Sequence, residues 1–295
     1  MDITGHANNG CLSSPENTNQ NQHSQLPLTQ KKWCPKAKCH NTDLCHPCSR
    51  RFLIVIATGR SASTTLTWML DELPGVRMAG ENNNQLNAIL NMKENVWNHT
   101  SFERGEQKKT AWGHNEIPPQ TFSCTAQSML ETINPPELIE GTRLKNKDSA
   151  EDIIGFKTIR FERGSPDHYF RMVDFVKENF SCSRIIVNIN SNTTRQMESY
   201  HNAKFGEVSE ATLIKRNKIL KHVSELFGEQ AYFLDSAEWT KDVSKLNGAV
   251  EWLGFHPSCK FKELLKFNTG GGKGFEHDKT KLSNRDPLCR KLSSI

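Results

Sequence analysis

The chain has 295 residues and carries 38 Lys and Arg against 33 Asp and Glu, a formal net charge of +5. That length suits one large α/β domain or two small ones, and it can bury a sizeable core. The basic residues come in pairs (Lys31-Lys32, Arg50-Arg51, Lys108-Lys109) rather than runs, which argues against nucleic acid and for an anionic small ligand. The longest apolar run, Phe52 to Ala57, falls far short of the roughly 20 residues that span a bilayer. The expectation is a soluble, cytoplasmic chain, with the Golgi as the alternative if a longer precursor carries an anchor. Cysteines stand at 11, 34, 39, 45, 48, 124, 182, 259 and 289. Nine, an odd number spread over so long a chain, does not read as a disulfide framework.

Residues 1–32 are rich in Asn, Gln, Ser, Thr and Pro, a composition that cannot offset its own ordering entropy, so a disordered arm is expected. Residues 33–50 form a Cys-rich lead-in. From 51 to 290 the texture is that of an α/β domain. Phe52–Ala57 reads as a strand buried on both faces, and Thr64–Leu73, ended by Pro74-Gly75, as a helix. An Asn-, Pro- and Lys-rich stretch at about 82–150 reads as an irregular insertion, of the kind that walls a substrate site. Then follow strand Ile153–Ile159, helix His168–Phe180, strand Arg184–Ile189, helices Thr194–Lys204 and Val208–Phe227, strand Ala231–Leu234 and helix Val243–Leu253. This alternation predicts a central parallel sheet flanked by helices.

The most informative stretch is Thr58-Gly59-Arg60-Ser61-Ala62-Ser63-Thr64-Thr65, between the first strand and its helix. Such a loop aims backbone N–H groups and a helix dipole at one point. Gly59 permits the turn, the hydroxyls add donors and Arg60 adds a charged fork, together a phosphate cradle. The nucleoside-triphosphate pattern G-x-x-x-x-G-K-[ST] fails, because its second Gly and its Lys are Thr64 and Thr65 here. The plain alternative is a Ser/Thr-rich helix cap without a ligand.

Gly59 to Thr65 resembles the 5′-phosphosulfate loop of the sulfotransferases that use 3′-phosphoadenosine 5′-phosphosulfate (PAPS). The likeness runs on through Met69–Arg77 to Gly80-Glu81-Asn82, which is similar to tyrosylprotein sulfotransferases and related sulfotransferase-like proteins. The resemblance implies a P-loop nucleotide-hydrolase-like fold and metal-independent, in-line sulfuryl transfer, with adenosine 3′,5′-bisphosphate as product. It implies that Gly59, Arg60, Ser61, Ala62, Ser63, Thr64 and Thr65 hold the 5′-phosphate, with Arg60 neutralising the leaving oxygen. It also implies a 3′-phosphate site of one Arg just after a later strand and one Ser further on. Ser199 fits that Ser, but Asn190 stands in place of the Arg, leaving Arg195, one turn before Ser199, as substitute. Lys273, in the glycine-rich Gly270–Gly274 segment, is the expected late cation, with Lys279 second; the segment also suits a lid or a linker.

Transfer to a hydroxyl needs a base. Glu81 is the candidate, although the related enzymes carry a second carboxylate where this chain has Asn82. Lys157 falls where cytosolic sulfotransferases have a Lys-Thr-His strand, which implies help to the leaving group; Ile159 replaces the His. A Lys inside an apolar strand is itself costly unless paired. His114, beside Trp112, is the alternative base. Cys34, Cys39, Cys45 and Cys48, with His40 and His46 between them, leave zinc, local disulfides or free thiols open; no metal is assigned to the site. The sequons at Asn98, Asn179 and Asn192 carry no weight. The sequence therefore leads to a PAPS-dependent sulfotransferase acting on a hydroxyl, or secondarily an amine, of a small-molecule, glycan or peptide acceptor. The alternatives are a nucleotide or nucleoside kinase and an inactive sulfotransferase-like binding module.

Overall fold

The computed structural model describes Trp33 and residues 50–73, 75–81, 84–100, 119–133, 153–161 and 166–264. The elements in chain order are β1 (Arg51–Ala57), α1 (Ser63–Asp71), β2 (Val76–Ala79), α2 (Gln85–Thr100), α3 (Pro119–Ile133), β3 (Ile153–Thr158) and α4 (Pro166–Asn179). They continue with β4 (Ser183–Ile189), α5 (Thr193–Asn202), α6 (Glu210–Phe227), β5 (Ala231–Asp235), α7 (Ser236–Trp239) and α8 (Ser244–Trp252). The strands form one sheet, ordered β2-β3-β1-β4-β5, with every pair parallel. The expected central parallel sheet flanked by helices is present.

Strand β1 shows why the sheet needs cover on both sides. Phe52, Ile54 and Ile56 enter one core with residues of α2, α3, α4 and α6, such as Ile89, Phe122, Phe175 and Leu220. Leu53, Val55 and Ala57 enter the other with residues of α1 and α8, such as Leu66, Leu70, Leu246 and Val250. Side chains alternate across a strand, so a strand buried on both faces reads as a continuous apolar run. The chain leaves β1 toward β2 on one side, whereas β3 and β4 send their connections the other way. Right-handed crossovers then place α1 and α4 on opposite faces, and the strand order reverses beside β1. In open α/β sheets that reversal opens a crevice at the C-terminal ends of the strands.

Two expectations are corrected. The stretch at 82–150 contains helices α2 and α3. Leu86, Ile89 and Leu90 of α2, and Phe122, Ala126 and Leu130 of α3, are buried in the main core, so these parts are integral to the wall of the domain. The i, i+3, i+4 spacing is there, diluted by the Asn and Lys residues around it. The cysteines also depart from expectation, since Cys124, Cys182 and Cys259 are disulfide-bonded. An odd total demands one unpaired thiol and forbids nothing else. Asn179, of one sequon, is buried, with its amide donating to the Phe175 carbonyl and accepting from the Ser123 hydroxyl (both 2.9 Å). Among the described residues no helix is long and apolar enough to cross a membrane.

Candidate functional site

The loop after β1 is built from left-handed turns. Arg60 (φ 60°) and Ala62 (φ 54°) both take a conformation that costs an L-residue about 1 kcal/mol. Gly59 has no room for a side chain, because a Cβ there would meet the Tyr200 hydroxyl of α5 at 2.1 Å. Helix α1 then begins at Ser63 with Ala62 as its N-cap and no side-chain cap. Three later helices differ, since Asn192 caps α5, Ser209 caps α6 and Asp235 caps α7, each accepting from a first-turn N–H, whereas α8, after Val243, has no side-chain cap either. The first N–H groups of a helix have no intrahelical partner, so the α1 terminus presents an uncapped anion site with its dipole.

What holds this loop open is a set of buried amides that the sequence reading did not single out. Gln196 of α5 donates to the Gly59 carbonyl (2.6 Å) and the Thr58 hydroxyl (3.2 Å). Asn188 of β4 donates to the Ser61 carbonyl (2.7 Å) and accepts from the Trp239 indole (2.8 Å). The Ser61 hydroxyl is fully buried and donates to the Thr58 carbonyl (2.7 Å). It therefore braces the loop and is spent as a ligand donor. Ser63 is buried as well, whereas Thr64 is exposed and Thr65 half-exposed. Of the hydroxyls expected at the 5′ end, these last two face outward. A polar residue inside the otherwise apolar stretch Ile185–Ile189 of β4 was the signal for Asn188.

On the β2–β3 side of the loop, three candidates converge. Lys157 sits on β3, paired in register with Val55 of β1. Its Nζ lies 3.0 Å from Glu81 Oε1 and donates to Thr64 Oγ1 at 3.3 Å. The Lys157 side chain is 8% exposed and Glu81 35%. A buried ammonium needs a partner, and the carboxylate just past β2 supplies it. Glu81, Lys157 and Thr64 thus join three separate chain segments in one constellation.

On the β4 side, Arg60 Nε donates to Ser199 Oγ at 2.8 Å, and its guanidinium carbon stands 5.7 Å from the ring of Phe205, which is 69% exposed. The cation on Ser199 is thus Arg60. Arg195 is exposed in the first turn of α5, and its backbone N–H is taken by the Asn192 cap (3.0 Å). Asn190 is buried and serves the backbone. Its Oδ1 accepts from the Asn192 N–H (3.1 Å), its Nδ2 reaches the Arg60 carbonyl (3.5 Å) and its carbonyl accepts from Asn217 (2.7 Å). Asn190 ties the β4 loop to the β1 loop.

Asn82, His114, Lys273, Lys279 and the cluster of Cys34, Cys39, Cys45 and Cys48 lie outside the described residues. A cavity of about 410 Å³, lined by Met197, Glu198, His201, Asn202, Gly206, Glu207 and Val208, uses a different face of α5 from Ser199 and contains none of the candidates. The arrangement at the strand ends can hold an anion on backbone N–H groups, flank it with two cations and offer a carboxylate beside one of them. Compared with known proteins, the chain matches no family model, and no curated protein matches it.

Proposed function

We propose that the chain is a sulfotransferase that moves a sulfuryl group from PAPS to an acceptor hydroxyl. The observation that carries this reading is the uncapped α1 N-terminus, set in a left-handed loop between Arg60 and the Lys157–Glu81 pair. The N–H groups of Ser63 to Thr65, with the Thr64 and Thr65 hydroxyls, would bind the donor's 5′-phosphate. Arg60 would neutralise charge as the bond from sulfur to the bridging oxygen breaks, and Lys157 would follow it from the opposite side. Glu81 would take the acceptor proton as the new oxygen–sulfur bond forms. Positioning and fixed charge carry such transfers, as in phosphoryl transfer. Ser199 would meet the 3′-phosphate, with Arg60 or Arg195 as its cation. The acceptor would be a small molecule, glycan or peptide reaching Glu81.

One observation favours a second reading. Asn190 is committed to bracing the backbone where the resemblance implies a 3′-phosphate Arg, which suits a nucleotide-binding relative without turnover. A kinase is disfavoured because the loop has no Lys of its own.

The test is a thermal-shift titration with adenosine 3′,5′-bisphosphate, against ADP and ATP with magnesium. A ligand at 100-fold over its Kd that binds only the folded state adds about 2.7 kcal/mol. A shift specific to the bisphosphate and lost in Arg60→Ala supports the donor site. Turnover of radiolabelled PAPS over a hydroxyl and amine acceptor panel then separates an enzyme from a binding module. No shift, or one with ATP alone, overturns the reading.

A further inference from the structure

We propose that Phe205 is a positioning residue that holds the Arg60 guanidinium in place for an anion bound at the α1 terminus. The inference rests on the reading of that loop as an anion site, and not on the identity of the sulfuryl donor.

Two uncharged groups hold the Arg60 side chain. Its Nε donates to Ser199 Oγ at 2.8 Å, and its guanidinium carbon stands over the Phe205 ring, 5.7 Å from the centre. Among the described residues no carboxylate pairs with Arg60, and its two terminal nitrogens have no hydrogen bond. A carboxylate would neutralise the cation. A hydroxyl and a ring instead leave its charge and its two-nitrogen fork for an oxyanion.

Phe205 is placed there by the way α5 ends. The Lys204 N–H donates to the His201 carbonyl (3.0 Å) and the Phe205 N–H to the Tyr200 carbonyl (3.3 Å), with Lys204 left-handed at φ 57°. Such paired bonds around a left-handed residue form a Schellman ending, which commonly folds its last apolar residue back onto the helix. Phe205 is nevertheless 69% exposed, ahead of Ile214 at 42% among the described large hydrophobic residues. A ring left in water forgoes hydrophobic burial, and here it faces the Arg60 cation. The same segment grips the loop at three points. Gln196 donates to the Gly59 carbonyl (2.6 Å), Ser199 accepts from Arg60, and Phe205 backs the guanidinium.

An arginine side chain has large rotamer entropy, which binding must remove. The Ser199 hydroxyl fixes the Nε end, and the negative face of the ring attracts the charged end. Part of the ordering is therefore complete before the anion arrives.

The test measures Kd by calorimetry on the full chain, with adenosine 3′,5′-bisphosphate and, as a base-free probe, inorganic pyrophosphate. Phe205→Leu and Phe205→Ala are expected to bind both about two- to fivefold more weakly, and Phe205→Trp at least as tightly as the parent chain. Because the ring is exposed, all three should melt within about 2 °C of the parent. In an Arg60→Gln background, titrated to higher ligand concentration, Phe205→Ala should have no further effect. Four results would overturn the proposal. Parent-like binding by Phe205→Leu would show that apolar bulk suffices. A loss confined to the bisphosphate would mean that the ring stacks on the base. An undiminished loss in the Arg60→Gln background would mean that Phe205 acts without Arg60. Binding of neither probe by the parent chain would remove the anion site itself. Pyrophosphate binding without bisphosphate binding would sink the sulfotransferase reading alone, and the order of the variants on pyrophosphate would still decide this one.

Discussion

The ammonium of Lys157, 8% exposed on β3, is held by a carboxylate that is itself 35% exposed. A lysine in the run Ile153–Thr158 was conspicuous because an unpaired ammonium in an apolar strand is costly, and its partner proves to be Glu81 at 3.0 Å. The two members differ in exposure, which fixes the sign of a test. Glu81→Gln strands a buried cation and should cost about 2 kcal/mol by urea denaturation. Lys157→Met leaves a carboxylate that water still reaches and should cost less than about 1 kcal/mol. The double variant should be no less stable than Glu81→Gln alone, with a coupling of about 1 kcal/mol; the opposite order would mean the pair does not exist in solution. Gly59 poses a steric question instead. A methyl there collides with the Tyr200 hydroxyl, so Gly59→Ala should weaken bisphosphate binding about tenfold or more by displacing the loop. Combined with Tyr200→Ala, which removes the colliding ring, the added methyl should have little further effect, measured as the ratio of Kd values with and without it.

At the level of elements, the site depends on α1 being uncapped while β4 and α5 hold its loop. Asn188 ties β4 to the loop through Ser61 and to α7 through Trp239. Asn188→Ala would orphan a buried carbonyl and an indole N–H, so a loss of about 2–3 kcal/mol is expected in chemical denaturation. The predicted strands and helices outside 82–150 lie within one or two residues of their observed limits, because β1, β3 and β4 each centre on a β-branched or aromatic apolar stretch and the helices keep a 3.6-residue period. Helices α2 and α3 escaped because their apolar stripes are interleaved with amides in α2 and with small hydroxyl residues and glutamines in α3. The site was legible where one segment carries it, as in residues 58–65. It was illegible where the fold brings distant residues together. Nothing local shows that Arg60 reaches Ser199, 139 positions on, or that Asn190 is occupied with backbone groups.

Taken whole, the molecule sets the candidate site and the Trp33 contacts at opposite ends of the strand axis. The loop, Lys157 and Glu81 cluster at the C-terminal ends of the strands, whereas Trp33 sits at the opposite end. The seven residues of β1 put roughly 20 Å between the two. There the Arg184 guanidinium, its pKa lowered to about 10 by burial, lies 5.0 Å from the Trp33 ring and 4.7 Å from Trp252, and the Arg51 guanidinium stands 6.0 Å from the same Trp33 ring. Aromatic faces offset part of the cost of burying such a cation. Trp33→Ala removes a fully packed ring, its bond to Leu253 and one wall of the Arg184 slot. The expected loss is about 3–5 kcal/mol, which for a domain of this size is a fall of about 10 °C or more in Tm. Because the change lies a full strand length from the loop, the bisphosphate Kd of the protein that remains folded should stay within about twofold. Calorimetry at a temperature well below the transition separates the two quantities. A fall in affinity at full folding would mean that the base of the sheet communicates with the loop, and a preserved Tm would mean that the Trp33 ring is not packed into the core in solution.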